Sequence, residues 1–158
     1  MYLQNQSDLI FDTNIFNLIL DEGMVIENLN IKVFVSEVQF KEIMKTKSDE
    51  RRIQLLKIYQ QINPTIILSK TSLWGDFPWG EKTFGKVTME FKRILDSLNE
   101  SKRKKNNSYD SLIAEVAIQY KLLLVTNVIE LIKVFRKFKF NVITFRMFKK
   151  YINSKTNA

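Results

Sequence analysis

Short apolar runs that end in a polar residue and hand over to helical spacing recur along this chain, and that alternation restricts the fold more than any other feature. Leu9, Ile10 and Phe11 run into Asp12, after which Thr13 and Asn14 open a stripe through Ile15, Leu18 and Ile19. Val33, Phe34 and Val35 stop at Ser36, and Ser36 with Gln39 makes a capping-box pattern for a helix through Glu42 and Met44. Residues 49–62 place Ile53, Leu56 and Ile58 at helix-compatible spacing until Asn63 and Pro64 break it, and residues 65–68 read as extended. From Lys86 the helical stripe returns through Val87, Phe91, Ile94, Leu95 and Leu98. Leu112, Ile113, Val116, Ala117 and Tyr120 mark another helix, followed at once by an apolar strand over residues 122–125 and Thr126. A helix over 130–137, a strand over 142–145 and a short basic terminal helix complete the pattern. Wholly apolar strands separated by helices predict an α/β fold with a mostly parallel central sheet flanked by helices on both faces.

The chain has 158 residues, 45% of them hydrophobic, which suffices for one core and argues against two. We read residues 1–158 as a single domain with a loop or insertion near residues 74–85, which hold both tryptophans, one of the two prolines and three of the four glycines. A surface loop pinned by its aromatics is the plainer reading of that stretch; a substrate lid or partner surface is the other. No apolar run approaches bilayer length and the N-terminus lacks a secretory layout, so a cytoplasmic protein with no membrane association is expected. With no cysteine and no histidine, disulfides, thiolate chemistry, ordinary zinc sites and imidazole acid-base catalysis are all excluded. Catalysis would have to lean on carboxylates, lysines, tyrosines or hard metal ions. The formal charge of +8 favours polyanionic partners without singling out nucleic acid.

Three acidic residues then stand out by position. In an open parallel sheet ligands gather beyond the carboxyl ends of the strands, where Asp12 lies. Singly, each has a plain explanation: Asp12 as a helix N-cap, Glu42 as a solvated helix residue, and Asp110 as a first-turn carboxylate favoured by the helix dipole. Together, their surroundings resemble the PIN-domain nuclease family. The first motif reads Leu9-Ile-Phe-Asp12-Thr13-Asn14, an apolar strand ending in Asp-Thr-Asn. The second is Val35-Ser36 with Glu42-Ile43 following, a hydroxyl residue six positions ahead of an acid. The third is Asp110-Ser-Leu-Ile113-Ala114-Glu-Val-Ala117, an acid opening an Ile/Ala-rich helix, and after it Leu122-Leu-Leu-Val-Thr126-Asn127 resembles the strand that carries the family's final acid. The resemblance runs from Leu9 to Phe145.

That resemblance implies a PIN-like three-layer sandwich and a metal-dependent endoribonuclease that uses Mg²⁺ or Mn²⁺. Asp12 and Asp110 would be the primary metal ligands, and Glu42 would complete the acidic pocket and orient the attacking water. Thr13, Asn14, Thr126 and Asn127 would support them from behind. The family commonly has an aspartate two positions after the threonine, where this chain has Val128, an apolar side chain that cannot bind a hard cation. Glu130, two residues on, is the candidate substitute ligand, with an Asn127 oxygen as the alternative. Lys102, Arg103, Lys104 and Lys105 directly precede Asp110 and suit a grip on the phosphate backbone of an RNA substrate; Lys133, Arg136, Lys137 and Lys139 form a second basic stretch. For Phe135, Phe138 and Phe140 the expectation is core packing. Free-standing PIN domains of this size are often toxins of toxin-antitoxin pairs, so an antitoxin or inhibitory protein partner and a homodimer are further implications. The competing readings are a degenerate PIN fold that binds RNA or protein without cutting, which Val128 favours, and a nuclease acting on DNA or flaps.

Overall fold

The computed structural model describes residues 8–26, 31–71, 73–74, 83–84, 88–101 and 107–157. In chain order the elements are β1 (Asp8–Phe11), α1 (Thr13–Asp21), β2 (Lys32–Val35), α2 (Glu37–Met44), α3 (Asp49–Ile62), β3 (Thr65–Ile66), β4 (Leu73–Trp74), β5 (Thr83–Phe84), α4 (Met89–Ser101), α5 (Ser108–Gln119), β6 (Leu123–Val125), α6 (Ile129–Lys137), β7 (Val142–Ile143) and α7 (Phe145–Thr156). Five strands form one sheet in the order β3-β2-β1-β6-β7, and every pairing in it is parallel. The expected α/β architecture is therefore present. β4 and β5 make a separate antiparallel pair, while most of the aromatic and glycine-rich stretch between them lies outside the described residues.

Alternation along the strands divides the core in two. Leu9, Phe11, Val33, Val35, Leu123 and Val125 face one side, where α1, α3 and α7 supply Ile15, Phe16, Ile19, Leu55, Phe148 and Ile152. Ile10, Phe34 and Leu124 face the other, against Phe91, Ile94 and Leu98 of α4, Ile113 and Ala117 of α5, and Leu131 and Phe135 of α6. A sheet buried on both sides cannot use the polar-out alternation of a surface strand, which is why β1, β2 and β6 are apolar apart from Asp8 and Lys32 at the strand starts, whereas the edge strand β3 is exposed. Helix α5 is buried over nearly its whole length, from Ser111 to Ala117, so its N-terminal turn is held against the sheet.

Several boundaries differ from expectation, and β3 holds two residues where four read as extended. Phe145 is the first residue of α7, not the end of a strand: Thr144 caps the helix by accepting a hydrogen bond from the Met147 N–H (3.3 Å). A buried apolar residue at a helix start and one at a strand end look alike in sequence. The terminal helix is also longer than expected, at 12 residues. In α3 the fully buried residue is Leu55, while Ile53 faces solvent at 54% exposure, so the apolar stripe is rotated from the one the spacing suggested.

The order of strands places one position apart from the rest. Chain progression moves outward from β1 through β2 to β3 on one side, and then from β6 to β7 on the other. The neighbours β1 and β6 thus send their chains to opposite sides, and the crevice beyond their carboxyl ends is where ligands bind in such sheets.

Candidate metal and nuclease site

Asp12 follows β1 and Thr126 follows β6, so the two residues meet in that crevice. The Asp12 N–H donates to the Val125 carbonyl (3.1 Å), and the Thr126 hydroxyl donates to Asp12 Oδ2 (2.9 Å). Both side chains are buried, Asp12 at 4% exposure. Asp12 occupies the N-cap position of α1 yet makes no side-chain capping bond. Its carboxylate instead reaches across the sheet to Thr126 beyond the neighbouring strand, with the Thr13 backbone N–H beside it.

Glu42 and Asp110 approach from two helices. The Thr13 hydroxyl donates to Glu42 Oε1 (2.7 Å), tying α2 to the residue after Asp12. At the far end of α2, Lys45 Nζ donates to the Tyr109 hydroxyl (3.2 Å) and lies 5.3 Å from the centre of its ring, which joins α2 to the first turn of α5 beside Asp110. The three acids are therefore not on separate faces. Burial raises the Asp12 carboxyl from 3.8 to about 7, with the charges of Asp110 and then Glu42 pushing the same way. The Thr126 hydroxyl and the Thr13 backbone N–H act against this rise. Like charges around a desolvated carboxylate oppose its ionisation, and a proton or a hard cation relieves that opposition. Among the described residues, however, no three acidic side chains are gathered closely enough to enclose an ion. Glu42 turns to Thr13 and Asp12 Oδ2 to Thr126, the spread expected of carboxylates that repel one another.

The remaining candidates are distributed unevenly. Asn14 is exposed on α1. Val128 is half-buried at the N-cap position of α6, and its N–H donates to the Thr126 hydroxyl (3.1 Å), so Thr126 links this loop to Asp12. Asn127 Oδ1 accepts from the Phe145 N–H (3.0 Å) and holds the start of α7, so this oxygen is already engaged. Glu130 is half-buried in the first turn of α6. Lys102, Arg103, Lys104 and Lys105 lie outside the described residues. Lys133, Arg136, Lys137 and Lys139 are exposed, but α6 runs back along the sheet, and Lys139 borders a cavity of about 300 Å³ with Lys121, Leu122 and Asn141 at the opposite, amino edge of the strands. The second basic stretch thus leads away from Asp12. Phe135 is core, whereas Phe138 and Phe140 are half-buried, with the Arg93 guanidinium 4.2 Å above the Phe138 ring.

One residue acquires a meaning its sequence position did not suggest. Gln39 belongs to the expected capping box, accepting from the Ser36 N–H (2.9 Å), but its carboxamide also donates to the Phe11 carbonyl (2.9 Å). A cap of this kind normally sits on the surface, whereas Gln39 is fully buried.

The sequence matches no model of a known protein family and no curated protein. Among solved structures it is similar to VapBC-1 from nontypeable Haemophilus influenzae, with a TM-score of 0.51 and 15% identity, over 87% of this chain and 97% of that one. The chain has a PIN-like fold. VapBC2 from Rickettsia felis, solved bound to a DNA fragment from their promoter, gives a TM-score of 0.49 at 16% identity over 87% and 98% of the two chains. VapBC-5 from Mycobacterium tuberculosis, a member of the VapBC family of toxin-antitoxin systems, gives 0.48 at 18% identity over 87% and 97%. At such identities the likeness speaks for the backbone arrangement alone. In that PIN-like arrangement the crevice between β1 and β6 is the natural position for a ligand. Among the described residues no helix is long and apolar enough to cross a membrane.

Proposed function

We propose that this chain is a metal-dependent endoribonuclease, and that it serves as the toxin of a toxin-antitoxin pair. The observation that carries the proposal is the buried Asp12 carboxyl, raised to about 7 by desolvation and by the charges of Asp110 and Glu42 at the carboxyl ends of β1 and β6. Burying an acid beside two others costs stability, and a hard cation held among the three would relieve that cost. Mg²⁺ or Mn²⁺ bound there would neutralise phosphoryl charge and lower the pKa of a water molecule. Asp12 and Asp110 are assigned as the ligands. Glu42, steadied by the Thr13 hydroxyl, orients the attacking water, and Thr126 fixes the rotamer of Asp12. Glu130 is assigned the position nearest to the family's missing acid. The basic segment over residues 102–105 would hold the RNA backbone. The toxin role and an antitoxin partner rest on the sequence resemblance to free-standing PIN domains and on the fold shared with VapBC-1, and a homodimer on the resemblance alone.

The test is cleavage of single-stranded RNA in Mn²⁺ or Mg²⁺ by the native chain, Asp110→Asn and Val128→Asp. Metal-dependent cutting by the native chain that Asp110→Asn abolishes supports the reading. Equal cutting by both, or none even with Val128→Asp, removes it.

A second reading has its own support. Val128 replaces a carboxylate with a side chain that packs against the α4, α5 and α6 core. A PIN-like fold that binds RNA and cuts nothing is the result if Val128→Asp alone confers no activity while RNA binding is retained.

A further inference from the structure

We infer that Gln39 is a positioning residue that fixes the ligand Asp12 relative to the helix carrying Glu42, and so sets the affinity of the site for a hard cation. The inference rests on the proposed metal site and adds a residue to it that touches neither ion nor substrate.

Gln39 has 0% exposure and lies on α2 one turn before Glu42. Its Oε1 accepts from both the backbone N–H (2.9 Å) and the hydroxyl (2.6 Å) of Ser36, at the end of β2. Its Nε2 donates to the backbone carbonyl of Phe11 (2.9 Å), the residue immediately before Asp12. One carboxamide therefore clamps the carboxyl ends of two adjacent strands. On the other side of Asp12, the Thr13 hydroxyl holds Glu42 itself (2.7 Å). Asp12 is straddled by two bonds that reach to the same helix, one through Phe11 and one through Thr13.

The chemistry of the clamp requires a carboxamide. Two donors from Ser36 must be accepted and one hydrogen must be given to Phe11 in the same buried place. A carboxylate at this position would accept both and donate nothing, and an apolar side chain would leave all three groups unmet. An ordinary capping box needs only the bond to the N-cap backbone and is satisfied at the surface. The bond to Phe11 does nothing for the helix end; what it adds is a fixed distance between the loop carrying Asp12 and the helix carrying Glu42. Groups that orient metal ligands without binding the ion typically alter affinity by about 10- to 100-fold when removed.

The test compares Mn²⁺ binding, followed by the paramagnetic resonance signal of the free ion, in the native chain, Gln39→Met, Gln39→Asn and Ile152→Ala. Methionine keeps the length and loses every hydrogen bond. Asparagine keeps the carboxamide but is one methylene too short to span Ser36 and Phe11 together, so it reports if the methionine variant fails to fold. Ile152→Ala opens a cavity under α7, a helix that carries none of the three acids, beyond Lys149 and its ion pair with Glu22, and sets the effect of lost stability alone. Expected is Mn²⁺ binding weakened by about tenfold or more in Gln39→Met and by a smaller factor in Gln39→Asn. Ile152→Ala should bind as the native chain does while melting earlier. Native affinity in the folded Gln39 variants, or equal weakening in Ile152→Ala, overturns the inference and leaves the metal site standing. A native chain that binds Mn²⁺ no better than Asp12→Asn overturns both the site and the inference.

Discussion

Replacing Asp12 by Asn should stabilise the protein at pH 8, the reverse of what is expected when a buried hydrogen-bonded residue is changed. Asparagine keeps the shape of the side chain and an oxygen for the Thr126 hydroxyl, while removing the charge that burial, Asp110 and Glu42 all oppose. The Asp12 carboxyl rises from 3.8 to about 7 on folding. At about 1.4 kcal/mol for each pH unit, that separation corresponds to about 4 kcal/mol of destabilisation once the group is ionised in both states, an upper bound because local hydration relaxes the penalty. Between pH 4 and pH 7 the folded chain holds a proton that the unfolded chain has released, so stability falls as pH rises through this window and levels off above it. The asparagine variant lacks this dependence. The difference in stability between variant and native chain should therefore widen by about 3 kcal/mol at most from pH 5 to pH 8, on the order of 6 to 12 °C in Tm for a chain of this size.

Thermal melts at pH 5, 6, 7 and 8 in metal-free buffer measure that difference directly, and taking it between the two proteins cancels the other titrating groups. Adding Mn²⁺ at pH 8 should close the gap by stabilising the native chain alone, because the ion takes the place of the missing proton. A gap that stays constant with pH, or an asparagine variant that melts below the native chain at pH 8, would refute the assignment of Asp12 as a carboxyl strained by its neighbours.

Mn²⁺ affinity should rise about tenfold per pH unit up to pH 7 and then level off, since binding displaces one proton from Asp12; isothermal titration at several pH values checks the slope, and a flat profile counts against it. Thr126→Val should lower stability by about 1 to 3 kcal/mol, measured by denaturant unfolding, because the Val128 N–H loses its acceptor and Asp12 its donor, whereas Thr126→Ser should stay close to native. Val128→Asp should strengthen Mn²⁺ binding at a cost of about 1 kcal/mol in stability from lost packing, and an unchanged affinity would show that residue 128 does not face the ion. Binding of single-stranded RNA to the Asp110→Asn variant should weaken steeply with added salt; little change would exclude a grip dominated by phosphate contacts.

The parts of this molecule that could be read from sequence are those set by local pattern. The strands at Leu9, Val33 and Leu123 announce themselves because burial on both faces forbids polar residues, and the helices between them follow from the 3.6-residue period. Where one local pattern serves two structures it fails: Phe145 fits a strand end as well as a buried helix start, and Ile53 fits a stripe that the packing of α3 rotates toward Leu55. The site follows the same division. Asp12, Glu42 and Asp110 were nominated by motif, yet nothing in the motif separates a helix cap from a ligand. What the motif cannot show is the pairing of β6 beside β1, which brings Thr126, 114 positions away, onto the Asp12 carboxylate. Gln39 shows the limit most sharply, since its capping bond to Ser36 is local and legible while its bond to Phe11 spans 28 positions and exists only because β1 and β2 are neighbours. The hydroxyl and amide groups that hold Asp12, its loop and Glu42 are recruited across strand boundaries, and a chain with the same three acids and a different strand order would not draw these groups together.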